Sequence, residues 1–409
     1  MIRRKSLFLF LCILAFSRFS QTCATIIDNR WIPLIWRPFT TDWGRPSHVR
    51  AEFFAVTAKR AYDEHKDEML LPEIYGKYDQ GDLAKSMVEA GYPNPLKPEW
   101  QGASIPWNVN GKLQGQGFTF SYQQAVTDWL SFGINSYVMN LDSWNEFFLE
   151  MDKVSLRLQP GDLLELDETR RLMHSQIGLC GDHAHHTGIG DLDVYLRFGY
   201  SWNYTLKFKR IDAGFRIGAL CPSASMRDEN YPASIPFGGE RHWGMYGAID
   251  VELELREDWK AGLFGWIGKR FASNQVRRVP VGCEPQPYSV RCEDIRVNPG
   301  ITFAFSPYFA LENLRDGFGL RLQYTLRVHD HDLWSAQSSC AFDFKKINEL
   351  SSWGSDYFSI SSFYDFSKIN MERVQYPIVT LTWDIPAAVL VADRSAKTQQ
   401  ISLGLEWNY

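Results

Sequence analysis

Beyond residue 24 the sequence contains no apolar run approaching the ~18–20 residues that a spanning helix requires; the longest is Ile385–Ala392. Any passage through a bilayer must then be made by strands closed into a barrel, the other architecture that satisfies every backbone group without water. An excess of positive charge is also missing. The 43 Lys and Arg residues face 48 Asp and Glu, a net charge of −5, which argues against a nucleic-acid partner. Cysteine is scarce. Cys12 and Cys23 lie in the first 24 residues, leaving Cys180, Cys221, Cys283, Cys292 and Cys340. Cys283 and Cys292 share one polar loop and form a candidate disulfide in an oxidising compartment; the alternative is two unpaired thiols. The odd count leaves at least one cysteine free or paired elsewhere. Gly188-Ile189-Gly190-Asp191 is not a phosphate loop, since it leads into a strand and offers no helix N-terminus to an anion.

What the chain has in quantity is aromatic side chains, 15% of the whole, and strict alternation. In its last nine residues Ile401, Leu403, Leu405, Trp407 and Tyr409 fall on one face. Ser402, Gly404, Glu406 and Asn408 fall on the other, as successive side chains of a strand do. Nine residues is about what a tilted strand needs to cross a bilayer. This ending resembles the closing strand of bacterial outer-membrane β-barrels. The resemblance implies an all-β fold, a transmembrane antiparallel up-and-down barrel in the outer membrane. It also implies two partners, outer-membrane lipid and the barrel-assembly machinery. The machinery would read Leu403, Leu405, Trp407 and Tyr409 as its signal, and deletion of Tyr409 is expected to impair assembly.

The N-terminus is consistent with export to that compartment. Arg3, Arg4 and Lys5 precede the apolar run Leu7–Phe16, and Thr22-Cys23-Ala24 supplies small residues for cleavage. Residues 1–24 read as a secretory signal peptide, because the apolar run is too short for an anchor. A lipoprotein signal through Cys23 fits less well, since Ser20-Gln21-Thr22 lacks the usual apolar residue. Removing residues 1–24 takes away four basic and no acidic residues, moving the net charge from −5 to −9. Residues 25–47 carry Trp31, Trp36 and Trp43 among Pro33, Pro38 and Pro46, without clean periodicity. They are expected to form an N-terminal periplasmic arm or a plug-like segment, ahead of a barrel over 48–409.

About twelve strands are legible. In Gly190–Trp202, Leu192, Val194, Leu196, Phe198, Tyr200 and Trp202 share one face; Ile211–Ala219, Met245–Leu255 and Gly317–Val328 repeat the pattern. Short connections at 127–129, 203–206 and 257–259 alternate with connections of roughly 20–50 residues. A barrel has two unlike ends and explains this; a secreted sandwich does not. An even strand count places both termini on the short-turn, periplasmic side. In the long excursion 59–111, Asp82–Gly91 reads as a short helix capped by Asp82. In the second, 141–187, Ser143-Trp144-Asn145-Glu146 has the form of a helix capping box.

The face opposite the apolar one carries charge. Arg50, Glu52, Asp191, Asp193, Arg197, Arg210, Asp212, Arg216, Asp250, Glu252, Glu254, Arg321 and Arg327 would all line the lumen. Fixed charges of this kind set the selectivity of a water-filled pore; alternatively they neutralise one another inside a narrow, filled barrel. The first functional reading is a porin-like channel passing small solutes passively, with no cofactor. The alternative is a non-conducting surface protein presenting its long loops. A barrel hydrolase is the third, but no strand presents a Ser/His pair at readable spacing, so no catalytic residue is assigned. Asp182-His183-Ala184-His185-His186 contains the weak metal candidates His183, His185 and His186, against the reading of a solvated loop tip. Monomer and trimer both fit the sequence.

Overall fold

The computed structural model describes residues 28–39, 47–205, 208–256, 258–336, 344–368 and 377–408. The expected leader at 1–24, Trp43, Pro46, Cys340 and Tyr409 lie outside these. Twelve long strands form one antiparallel barrel in chain order. They are β1 (His48–Ala58), β2 (Pro106–Ala125), β3 (Leu130–Leu149), β4 (Leu192–Thr205), β5 (Phe208–Cys221) and β6 (Gly244–Arg256). They continue with β7 (Trp259–Arg270), β8 (Ile301–Arg315), β9 (Phe318–His329), β10 (Trp353–Asp365), β11 (Pro377–Ala387) and β12 (Gln399–Asn408). Closure comes from β1 against β12, in register from His48↔Asn408 to Thr57↔Gln399, which removes both sheet edges.

The alternation is visible strand by strand. Along β12 the residues switch between exposed and buried at every step, with Leu403 exposed and Ser402 and Glu406 buried. Phe118, Phe198, Ile249, Leu322, Ile360 and Leu381 join Leu403 on an exposed apolar outer band. A contiguous apolar surface that encircles a protein is far beyond what water tolerates on a monomer, and it excludes the soluble sandwich.

β2 and β3 depart from expectation. Both run for 20 residues, so Ser143-Trp144-Asn145-Glu146 is strand and not a helix start. The reason is an inversion of polarity. Up to the pair Phe118↔Val138 the outward residues are mostly apolar, with Phe120, Phe132 and Ile134 among them. Beyond it the outward pairs are Gln116↔Asn140 and Gln114↔Asp142, and the apolar residues Leu113, Met139 and Leu141 face inward. The same hairpin passes from a lipid-like surrounding into water, and its apolar face changes sides.

That extension carries the long loops. α1 (Gln80–Glu89) is capped by Asp79, whose carboxylate accepts from the backbone of Gly81 and Asp82, so the cap is Asp79 and not Asp82. α2 (Asp162–Gln176) and α1 bury Leu83, Met87, Leu166 and Met173 against Trp107 and Val109 of β2. Two three-stranded sheets and a third helix, α3 (Lys345–Ser351), complete a cap at the long-loop end. Within it Tyr78 bonds His174 at 2.9 Å, and Arg227 and Arg277 bind Glu229 at 3.0 and 2.9 Å. Burial alone would raise the Glu229 carboxyl, but the two guanidinium groups bring it down to about 2.

Candidate functional site

The lumen is occupied by the chain itself. Residues 28–39 have no helical or strand period, and Pro33 and Pro38 keep the residues before them out of helical backbone. At the long-loop end Arg270 of β7 pairs with Asp28 and, at 2.8 Å, with Asp191. The segment then descends. Ala396 donates its backbone N–H to the Arg30 carbonyl at 2.9 Å, and the Thr398 hydroxyl donates to the Trp31 carbonyl at 2.5 Å. Gln323 donates to the Trp36 carbonyl at 2.8 Å and Arg321 to the Pro38 carbonyl at 3.1 Å. At the short-turn end the Phe39 ring lies against His48. The even strand count does bring His48 and Asn408 to the short-turn end, but Asp28 lies at the opposite mouth, because the segment runs the length of the lumen.

Five side chains anchor it. Arg37 donates to Glu52 of β1 and to Asp384 of β11, the latter at 2.5 Å. Both carboxylates are buried, Asp384 completely. Trp36 stacks on Phe264 of β7 with centroids 4.0 Å apart and an 11° interplanar angle, and the Arg216 guanidinium lies 5.3 Å over the Trp36 ring. Trp31, Ile32 and Leu34 join the apolar cluster of Phe54, Leu113 and Met139.

Of the thirteen charged residues expected to line the lumen, twelve lie on the inward faces of strands and Asp191 is buried just ahead of β4, and most are engaged with one another. Arg197 bridges Asp212 and Asp250 at 2.5 Å each, and Arg216 reaches Asp250 at 2.9 Å. Arg210 pairs with Glu254 at 3.3 Å, and Arg50 stands 3.8 Å from Glu406. Tyr246 donates to Asp193 at 2.7 Å and Tyr308 to Glu252 at 2.6 Å. Asp191 caps the mouth, accepting from Ala224 and Gly239. Arg327 donates to Ser355 at 3.0 Å and lies over Trp353 and Tyr357. The charges form a cross-linked network more than a free ring.

Tyrosines take up further lumen space by lying over glycines of the neighbouring strand. A Cβ on Gly218 would sit 2.2 Å from the Tyr246 ring, and one on Gly262 would sit 2.3 Å from Tyr308. Only glycine leaves room for such inward rings.

Cys283 and Cys292 are not joined. Both are free and exposed. Cys292 is held in a strand opposite Arg278, while Cys283 lies in the loop before that strand, its carbonyl bound by Lys346. Nor do the three histidines converge. His183–Ile189 is a strand paired to the extension of β3. His183 and His185 share Asp142 at 3.5 and 2.8 Å on the outer face, and alternation sends His186 to the other face beside Phe237. Among the described residues no group of three or more could hold a metal. Leu403, Leu405 and Trp407 face outward.

The residues missed by sequence are Arg37, Trp36, Phe264 and Asp384. Asp384 could have been found by carrying the alternation of Thr380 and Thr382 one step further. Arg37 has no such signal, since its segment has no period.

The chain matches no family model and no curated protein. In fold it is similar to an outer membrane channel from Pseudomonas putida F1, with TM-score 0.50 and 10% identity over 91% of this chain and 100% of that one. Weaker likenesses are to the translocator domain of the autotransporter NalP from Neisseria meningitidis and to a Pseudomonas aeruginosa FadL homologue. The first has TM-score 0.36 at 8% identity over 90% of this chain and 89% of that one. The second has TM-score 0.32 at 10% identity over 89% of each chain. Twelve antiparallel strands closed end to end, apolar outside and polar within, give this chain the fold of the bacterial outer-membrane β-barrels.

Proposed function

We propose that this protein is an outer-membrane channel shut at rest by its own N-terminal segment. The observation that carries this reading is the threading of residues 28–39 through the lumen, with Arg37 held between Glu52 and Asp384. An always-open porin with a charged, water-filled lumen fits less well. Its wall charges would be unpaired, whereas here Arg197, Arg216, Asp212 and Asp250 bind one another. Solute passage then requires the segment to move aside, and no cofactor enters. The short turns face the periplasm and the cap of long loops faces outward, following export by the N-terminal leader and insertion by the barrel-assembly machinery. The second reading, a surface platform, is favoured by the folded cap around α1 and α2.

Planar-bilayer recording of the mature protein separates the two. The channel reading expects brief or small current steps that become steady when the segment is unlatched. A barrel that shifts its gel mobility only on boiling, and so is folded, yet never conducts in either state would move the weight to the platform.

A further inference from the structure

The lumen grips residues 28–39 as a receptor grips a peptide, and the contacts are specific. Trp36 occupies an aromatic slot on Phe264 beneath the Arg216 guanidinium. Arg37 occupies a clamp of two carboxylates from different strands, Glu52 and Asp384, both more than nine-tenths buried. Asp384 is fixed in turn by the Ser359 hydroxyl at 2.6 Å. Gln323 and Arg321 donate to the carbonyls of residues 36 and 38, two apart along the segment.

This set is not what a simple plug needs. Apolar packing would suffice to block a pore, whereas two buried carboxylates without a cation are costly. When the segment leaves, the wall presents an acceptor pair, a ring platform and the N–H donors of Gln323 and Arg321. We infer that residues 32–39 are a tethered stand-in for the ligand, and that the lumen binds short extended peptides bearing an aromatic residue followed by a basic one. This rests on the channel reading and names its substrate class. The tether gives the internal segment an effective concentration on the order of millimolar. A free peptide must compete with it, and winning that competition opens the path.

The test uses the full mature chain in detergent, with its folded state checked by heat-dependent gel mobility. A fluorescent octapeptide of residues 32–39, IPLIWRPF, is titrated by anisotropy against the wild type and against R37A, where the tethered competitor is weakened. The same peptide carrying R37A is the control ligand. R37A protein is expected to bind IPLIWRPF at least tenfold more tightly than wild type does, and at least tenfold more tightly than it binds the control peptide. Adding Asp384→Asn should abolish that preference. If R37A protein misfolds, Trp36→Ala weakens the competitor at the other anchor and should unmask the same preference. Equal binding of the two peptides, no binding, or a preference that survives Asp384→Asn overturns the inference. So does displacement of the octapeptide by argininamide at equal concentration, which would reduce the site to a plain cation clamp. A protein that conducts without distinguishing the peptides sinks this inference alone; one that distinguishes them without ever conducting sinks the channel reading alone.

Discussion

Arg37 donates to Asp384 across the lumen at 2.5 Å, joining residues 347 positions apart in the chain. The contact ties the one segment without periodicity to the most regular part of the structure. The same guanidinium holds Glu52 on β1, so one side chain fixes the segment to two strands.

Arg37→Ala should therefore unlatch the segment. Leaving a buried carboxylate pair without its cation costs about 3–5 kcal/mol, and that cost is relieved when the segment moves and water enters. Single-channel recording should show larger, longer-lived steps than wild type, with Arg37→Lys intermediate. Unchanged traces in a folded R37A barrel would separate the latch from conduction.

Gly218→Val should destabilise the barrel by overpacking, by about 1–3 kcal/mol. The new Cβ would stand where the Tyr246 ring lies and would break its bond to Asp193. The midpoint of the heat-induced gel shift should fall, and Tyr246→Ala in the same chain should restore part of it. Tyr246→Phe alone, which keeps the ring, should cost less.

The outer band gives a prediction about surroundings. Leu403 lies halfway along β12 and faces out; Leu403→Arg should cost about 2–4 kcal/mol if that face meets the bilayer midplane. Gln116 also faces out but lies just past the polarity change, so Gln116→Arg should cost about 0–1 kcal/mol. Denaturant unfolding in lipid vesicles would measure both, and equal costs would contradict a boundary at Phe118↔Val138.

The cap should weaken in acid. Burial, reinforced by Arg170 and Arg278, pushes the His174 imidazole down from 6.5 to about 3. Between those values the unfolded cap takes up a proton that the folded cap refuses, so stability rises with pH across that window and is lost as pH falls through it. Proteolytic protection of residues 150–182 should decline from pH 6.5 towards 3 and flatten in His174→Phe, where Tyr78 also loses its hydrogen-bond partner. Protection independent of pH in the wild type would contradict this.

The period-two pattern determined a count of about twelve strands and the inward placement of Arg216, Asp250 and Arg321, and the alternation of short and long connections determined the two unlike ends. Alternation is a local property: each side chain faces a side according to its own position. It also predicts where it will mislead. At Leu141 and Ser143 the pattern continues while the surrounding medium changes, so the apolar face reverses and a capping box appears where there is strand. What only the tertiary structure decided is pairing across the lumen. Which Asp meets which Arg, which glycine receives which tyrosine, and where residues 28–39 go depend on strands brought together by closure. Arg37 and Asp384 show the limit most plainly. Nothing near either residue specifies the other, and only barrel closure brings β1 and β11 close enough for one guanidinium to bridge them.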